Sequence, residues 1–165
     1  MGPFQFKTKK GRDITICTFS NKVLEGLLTF YDEFEPKAGY QGLPPRLKPK
    51  RRGWVEGLVQ GNLTLLAVDE DRVIAHAAAI PIPSSTMAEL LVFVHQDFQN
   101  QGIGTELIRL VAKYAGDQGL KRLWLTVLTA NAIAVYVFKK CGFRFVGPMD
   151  SEREMILDLE LTRFA

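Results

Sequence analysis

Short stretches of the chain either alternate apolar with polar residues or run as brief apolar segments, and both patterns predict β-strands. The first stretch, Asp13 to Phe19, alternates and is rich in β-branched residues. Two apolar stretches flank the acidic turn Asp69–Asp71 and predict a β-hairpin. In chain order, the predicted strands are DITICTF, LTLLAV, RVIAHAAAI, MAELLVFV, RLWLTV, FRFVGPM and EREMILDLEL.

Apolar residues that recur every three to four positions predict four helices. The first is expected to begin after Ser20 or Asn21, either of which is a suitable cap, and to end before Pro36. The stretch 35–52 contains four prolines and two glycines and is expected to be a loop. The other three helices are predicted over Trp54–Val59, Gly102–Gln118 and 131–141.

The resulting element order, β-α-α-β-β-β-α-β-α-β-β, is typical of an α/β protein. A chain of 165 residues is long enough to bury a sizeable core as one unit, so we expect a single domain over residues 1–165. The order favours a mixed sheet with helices on both of its faces.

Composition and charge narrow the functional classes. The chain is 47% hydrophobic and 24% charged, as is ordinary for a globular protein, and its net charge of +3 suits an anionic ligand better than nucleic acid. The two cysteines, Cys17 and Cys141, form neither a CxxC pair nor a zinc-binding spacing, so we expect a reduced, cytoplasmic protein that binds no metal. The absence of any apolar stretch near the ~20 residues that a span requires predicts no membrane association.

The stretch Val92–Ala115 reads as a strand, a polar turn with two glycines, and an amphipathic helix. A helix N-terminus carries unpaired N–H groups and a partial positive charge, so such a turn is suited to a phosphate. A Walker loop would need GxxxxGK[ST], which Gly102 and Gly104 do not provide. A dinucleotide-binding turn would need a third small residue where the chain has Leu107.

The remaining pattern, Gln99 to Gly104, is Q/R-x-x-G-x-G/A and resembles the acetyl-CoA pyrophosphate loop of the GNAT superfamily of N-acetyltransferases. The stretch NAIAVYVFKKCGF is similar to the second signature of that superfamily, and the final E-x-x-M strand also resembles it. The resemblance covers residues 72–161, the expected acetyl-CoA-binding portion, and assigns 1–70 to the acceptor side. It implies a mostly antiparallel sheet of about seven strands.

The resemblance implies that backbone N–H groups of the glycine loop hold the pyrophosphate. Gln99 takes a position where the superfamily more often has arginine, so it brings no charge to the phosphates. Phe93 and Val94 would pair with the pantetheine arm through their backbone, which requires the strand pairing to open there. Their polar groups could then hold the thioester carbonyl as an oxyanion site. The implied cofactor-binding residues are Phe93, Val94, Gln99, Asn100, Gln101, Gly102, Ile103, Gly104, Thr105 and Asn131.

Two catalytic residues are implied. Tyr136 would donate a proton to the departing thiolate. The alternative is that Tyr136 only packs on the core face of its helix. Glu89 is the candidate base that takes a proton from the amine, because burial among apolar neighbours would raise its pKa. His76 is the reserve base, although a histidine on an apolar strand is more often a core residue. His95, just after the strand, would orient the loop.

Together these features predict an N-acetyltransferase that uses acetyl-CoA and transfers the acetyl group directly, without a covalent enzyme intermediate. The expected acceptor is a primary amine on a small molecule or a protein lysine, since the A-E strand start resembles that of bacterial and archaeal protein-lysine acetyltransferases. A homodimer in which the final strand is paired or swapped between two copies is compatible with the sequence. The alternatives are a non-catalytic acyl-CoA-binding regulatory module and, more remotely, a nucleic-acid-binding domain that uses the basic stretch 46–52.

Overall fold

A computed structural model describes residues 2–39 and 42–161. It contains eight strands and four α-helices within these residues. The strands are β1 Phe4–Lys7, β2 Asp13–Thr18, β3 Leu63–Asp69, β4 Arg72–Pro81, β5 Met87–Val94, β6 Arg122–Leu128, β7 Arg144–Val146 and β8 Glu152–Asp158. The helices are α1 Leu24–Glu33, α2 Lys48–Val59, α3 Ile103–Asp117 and α4 Ala132–Lys140.

All eight strands form one sheet in the order β1-β2-β3-β4-β5-β6-β8-β7. Every neighbouring pair is antiparallel except β5 and β6, which are parallel. This confirms the predicted α/β class with a mixed, mostly antiparallel sheet. The β3–β4 hairpin is also confirmed, with Asp69 opposite Arg72.

Helices cover both faces of the sheet, as predicted. Side chains of α3 and α4 pack on one face in a large apolar core that includes Leu107, Val111 and Leu123. Side chains of α1 and α2 pack on the other face in a smaller, aromatic-rich core that contains Tyr31 and Phe93. Because successive side chains of a strand point to opposite faces, β5 contributes to both cores.

The prediction of seven strands is wrong by one, because β1 was missed. This strand has only four residues and lies at the edge of the sheet, where most of its side chains are exposed. Its pairing with β2, which places Phe4 opposite Ile16, defines it as a strand. A short, exposed edge strand carries little of the buried alternation from which strands are predicted.

Two helix starts also differ from the prediction. A short 3-10 turn at Asn21–Val23 precedes α1, and the side chain of Ser20 makes no capping hydrogen bond. Helix α2 begins at Lys48 and not near Trp54, so much of the basic stretch is helical. Pro49 lies in the first turn of α2, where a missing N–H costs no helical hydrogen bond. Among the helices described, none is long and apolar enough to cross a membrane.

Candidate active site

The parallel strands β5 and β6 pair only at one end. Met87, Ala88 and Glu89 lie opposite Arg122, Leu123 and Trp124, and beyond these residues the two strands separate. The remaining part of β5 stays paired with β4, and that of β6 stays paired with β8. The predicted opening between the two strands is therefore present, with Glu89 at its narrow end.

Strand β5 leads into the glycine loop, which ends at the N-terminus of α3. Two residues of this loop have a positive φ, Asn100 at 60° and Gly102 at 87°. Gly102 directly precedes α3, and its carbonyl oxygen accepts the N–H of Glu106 at 3.1 Å. The N–H groups of the first helical turn therefore have no partner within the helix. They are available to an anion at the positive end of the helix dipole.

The two glutamines of the loop differ in burial, since Gln99 is exposed and Gln101 is buried. The Gln99 Nε2 donates a hydrogen bond to the carbonyl oxygen of Val94 at 3.1 Å. Gln101 is buried, and its Oε1 has no hydrogen-bond partner among the residues described. The backbone carbonyl of Gln101 accepts the N–H of Lys9 at 3.0 Å. Gln99 thus braces the loop against the end of β5.

A cleft of about 380 Å³ opens between the glycine loop and α4. It is lined by nine residues that the sequence predicted for the site: Val94, Gln99, Asn100, Gly102, Ile103, Gly104, Thr105, Asn131 and Tyr136. Gly104 lies beside Val94, because a Cβ atom on it would be in ordinary van der Waals contact with Val94 Cγ2, at 3.5 Å. The end of β5 and the N-terminus of α3 therefore face one cavity. Glu89, Phe93 and Gln101 do not line it.

Helix α4 forms the opposite wall of this cleft. Asn131 caps the helix, because its Oδ1 accepts the N–H of Ala134 at 3.1 Å, and it also lines the cleft. Tyr136 is 66% exposed and faces the cleft, so the alternative that it belongs to the core face of α4 is wrong. Its hydroxyl is accessible to a molecule bound there.

Glu89 lies on the other face of β5. It alternates with Ala88 and Leu90, which belong to the core beneath α3, so its side chain is on the face that carries α1 and α2. The carboxyl is half-buried, and this burial raises its pKa. The Glu89 carboxyl and the cleft thus lie on opposite faces of β5, and Glu89 is the last residue of β5 that is paired with β6.

The two histidines contact neighbouring residues of the fold, and neither lines the cleft. His76 is fully buried in β4, its Nδ1 lies 2.6 Å from the Tyr31 hydroxyl oxygen, and burial lowers its pKa to about 3. His76 is thus held neutral by burial, its Nε2 has no hydrogen-bond partner among the residues described, and it does not line the cleft. The Nδ1 of His95 accepts the N–H of Asp97 at 3.2 Å at the turn that follows β5. This contact orders the start of the glycine loop.

Sequence reasoning missed two cations of the cleft, Lys9 and Lys140. Lys140 lies in the last turn of α4, and Lys9 comes from the turn between β1 and β2. The only available signal for Lys9 was a run of basic residues next to Gly11. A lysine so far along the chain from the glycine loop is brought to it only by folding.

The basic stretch that suggested nucleic acid is largely paired within the chain. Arg51 is buried and its Nη2 lies 2.6 Å from Asp32 Oδ1. Arg51 Nη1 also donates to the carbonyl oxygens of Pro45 and Arg46 at 2.9 and 2.8 Å. Arg52 pairs with Glu56 at 3.0 Å. Arg51 thus ties α2 to α1 and to the segment before α2.

The two cysteines differ in burial and are not joined to each other. Cys141 is buried, which raises the pKa of its thiol to about 11 and makes it a packing residue. Cys17 has no disulfide partner. Within residues 2–39 and 42–161, no group of three or more His, Cys, Asp or Glu side chains is placed to hold a metal ion.

Comparisons with known proteins agree with this geometry. The chain is 31% identical over 94 residues to streptothricin acetyltransferase of Streptomyces lavendulae, covering 56% of this chain and 50% of that protein. It is also 31% identical over 98 residues to the ribosomal protein bS18 alanine N-acetyltransferase of Salmonella typhimurium, covering 54% and 64%. The chain thus spans about half the length of the curated relatives that it matches.

The fold has a similar counterpart among solved structures. The GNAT domain of PAT from S. lividans superposes with a TM-score of 0.80 over 94% of this chain and 96% of that domain, at 21% identity. The model of the Acetyltransferase (GNAT) family matches residues 25–143, which include the glycine loop and α4. The chain therefore belongs to the GNAT family of acetyltransferases.

Proposed function

We propose that the protein is an N-acetyltransferase that transfers the acetyl group of acetyl-CoA directly to a primary amine. The observation that carries this proposal is the separation of β5 from β6 beside the glycine loop. Val92 and Val94, in the part of β5 that has left β6, line one cleft together with the glycine loop. Such a cleft suits a long molecule with an anionic end and a hydrogen-bonding arm.

The residues of the cleft fit acetyl-CoA in three ways. The free N–H groups at the start of α3 and the positive φ of Gly102 provide a backbone cradle for a pyrophosphate. The open edge of β5 offers peptide groups to a pantetheine arm, with the Val94 carbonyl already taken by Gln99. Asn131 keeps its amide NH₂ beside the cleft after its oxygen has capped α4. Acetyl-CoA would supply the thioester whose acetyl group is transferred.

The reaction needs two proton transfers, one from the attacking amine and one to the departing thiolate, and each is assigned to one residue. Glu89 would accept a proton from the attacking amine, and its raised pKa makes it a stronger base than an ordinary carboxylate. Tyr136 would donate its hydroxyl proton to the departing thiolate, from the wall of the cleft. Placing these groups on either side of β5 lets the amine and the thioester approach each other through the gap between the strands.

We infer a cationic acceptor that approaches from the side of α1 and α2. Opposed residues in neighbouring strands share a face, so Glu89, Trp124, Thr126 and Glu154 lie on the same side of the sheet. Two carboxylates on this face would attract a protonated amine before its deprotonation. Relatives named for streptothricin and for a ribosomal protein alanine suggest that both small amines and protein amino groups fit this family. The unpaired cysteines are compatible with action in the cytoplasm.

The first experiment is thermal unfolding with acetyl-CoA, with NAD as a control, followed by detection of free CoA thiol with a panel of amines. Saturation at 100 times the dissociation constant adds about 2.7 kcal/mol to stability, which would shift the midpoint by several degrees. The panel contains a polyamine, a lysine peptide and a peptide with an N-terminal alanine. A shift with thiol release supports the enzyme. A shift without release from any amine would indicate a regulatory acyl-CoA-binding module, and no shift would refute the cofactor assignment.

A further inference from the structure

The turn between β1 and β2 packs against the outside of the glycine loop. The N–H of Lys9 donates to the carbonyl oxygen of Gln101 at 3.0 Å. The aliphatic stem of Lys9 lies over Gly102, where an added Cβ would be 3.5 Å from Lys9 Cε and 3.6 Å from Lys9 Cγ. The N-terminal hairpin thus carries one lysine to the point where the backbone enters α3.

The charge of Lys9 is unpaired at this position. Lys9 is exposed and lines the cleft together with Gly102 and Thr105. Other cations of the same hairpin have acidic partners, Lys7 with Asp13 and Arg12 with Asp69. Among the residues that the structure describes, no carboxylate lies within ion-pair distance of Lys9. Its ammonium is therefore available to an anion in the cleft.

The glycine loop itself lacks a full positive charge. Gln99 is neutral, and its amide donates to the Val94 carbonyl oxygen. This hydrogen bond leaves the amide less available to a phosphate. The start of α3 contributes only unpaired N–H groups and a partial charge. A pyrophosphate carries two negative charges, so a nearby ammonium would add substantially to its binding.

We propose that Lys9 binds the pyrophosphate of the acyl-CoA and supplies from the N-terminal hairpin the charge that Gln99 does not bring to the loop. This inference rests on the proposed function. It gives residues 1–70 a second task besides the acceptor side, because the β1–β2 turn becomes part of the cofactor site. Lys9 acts there as a binding residue, remote from the reacting thioester.

The test compares Lys9→Gln with Lys10→Gln, a matched control that removes the adjacent charge. Lys10 does not line the cleft. We measure the dissociation constant of CoA by titration calorimetry at several salt concentrations, and thermal unfolding of each variant without ligand. Lys9→Gln should weaken CoA binding about tenfold and flatten its salt dependence, because one charge-assisted contact is lost. Lys10→Gln should change the constant less than about twofold, and Lys9→Arg should keep most of the affinity.

A second ligand separates the pyrophosphate from the other phosphate of CoA. The loss in Lys9→Gln should persist with 3′-dephospho-CoA, which retains the pyrophosphate. If the loss disappears with that ligand, the pyrophosphate assignment is wrong. Equal affinities of Lys9→Gln and the unchanged protein would overturn this inference alone. A complete lack of CoA binding by the unchanged protein would overturn both this inference and the proposed function.

Discussion

Glu89 lies opposite Trp124 at the last position where β5 and β6 are paired, so its carboxyl is at the point from which the two strands diverge. The backbone of Glu89 is still part of the continuous sheet. The next residues of β5 are no longer paired with β6 and border the gap between the two strands. Burial against the sheet raises the pKa of this carboxyl. The same position thus raises the basicity of Glu89 and places it beside the gap through which the proposed amine would approach.

Replacement of Glu89 by Gln is expected to lower kcat/KM about a hundredfold, the usual contribution of a general base. The activity of the unchanged protein should fall on the acid side as Glu89 is protonated, at a pH above the ordinary glutamate pKa of about 4.3. The variant should lack this limb. Its deficit should be largest above the Glu89 pKa, where the carboxylate acts as a base in the unchanged protein, and smaller below it, where neither protein has the base. The measurement is the pH–rate profile, with Glu70→Gln, at an exposed glutamate in the β3–β4 turn, as the control. Identical profiles for Glu89→Gln and the unchanged protein would remove Glu89 as the base.

Glu89→Gln should also make the fold more stable at neutral pH. A raised pKa means that the folded protein holds a proton that the unfolded chain has released, so the carboxyl costs stability once the pH exceeds its unfolded pKa. An uncharged amide avoids this cost. Urea unfolding at pH 7 and pH 4 should show the gain at pH 7 and little difference at pH 4. A gain of equal size at both pH values would argue against the ionised carboxylate as its source.

Replacement of Tyr136 by Phe is expected to lower kcat about tenfold to a hundredfold while KM for acetyl-CoA changes little, because the lost hydroxyl acts on the leaving thiolate. Since Tyr136 is 66% exposed, the thermal midpoint should stay the same. Tyr114→Phe removes a hydroxyl on α3, outside the cleft, and serves as the control. Unchanged kcat in Tyr136→Phe would assign protonation of the thiolate to another group or to water.

Gly102 and Gly104 are expected to differ in their tolerance of alanine. Gly102→Ala places a side chain at a φ of 87° and should cost about 1 kcal/mol of unfolding free energy, although the added Cβ meets only ordinary contacts. Gly104 has no positive φ and its added Cβ would lie 3.5 Å from Val94, so Gly104→Ala should be nearly neutral for stability. Urea unfolding of both variants checks this contrast. Equal costs at the two positions would contradict it.

His76 should make the fold less stable in acid. Burial lowers its pKa to about 3, whereas the unfolded chain takes up the proton near pH 6.5, so stability is lost as the pH falls below that value. The expected slope is about 1.4 kcal/mol per pH unit between roughly pH 6 and pH 4. His76→Gln should remove this contribution from the slope of unfolding free energy against pH.

Tyr31→Phe is the companion variant for this measurement. It deletes the hydroxyl that lies 2.6 Å from His76 Nδ1 but keeps the imidazole buried. Stability should fall by about 1–3 kcal/mol at all pH values, because a buried polar nitrogen loses its partner. The slope against pH should remain. A flattened slope in Tyr31→Phe would mean that the imidazole is no longer kept neutral by burial.

Much of the fold followed from local patterns. The amphipathic spacing of Leu107, Leu110 and Val111 predicted α3, and the acidic turn predicted the β3–β4 hairpin. The loop predicted for the basic stretch was wrong, because prolines are ordinarily helix breakers and Pro49 is tolerated only within a first turn. Strand β1 was missed because pairing along an exposed edge leaves little mark on hydrophobic patterning.

By itself, the sequence determined the element order from β2 onward, the glycine loop and the candidate residues within it, because these depend on spacing between near neighbours in the chain. The tertiary structure decided which face of β5 carries Glu89, where β5 leaves β6, and that Lys9 reaches Gly102. It also decided that Tyr136 is exposed to the cleft and that Arg51 is neutralised by Asp32. These relationships join residues that are far apart in the chain. They are set by strand register and packing, which are properties of the whole sheet.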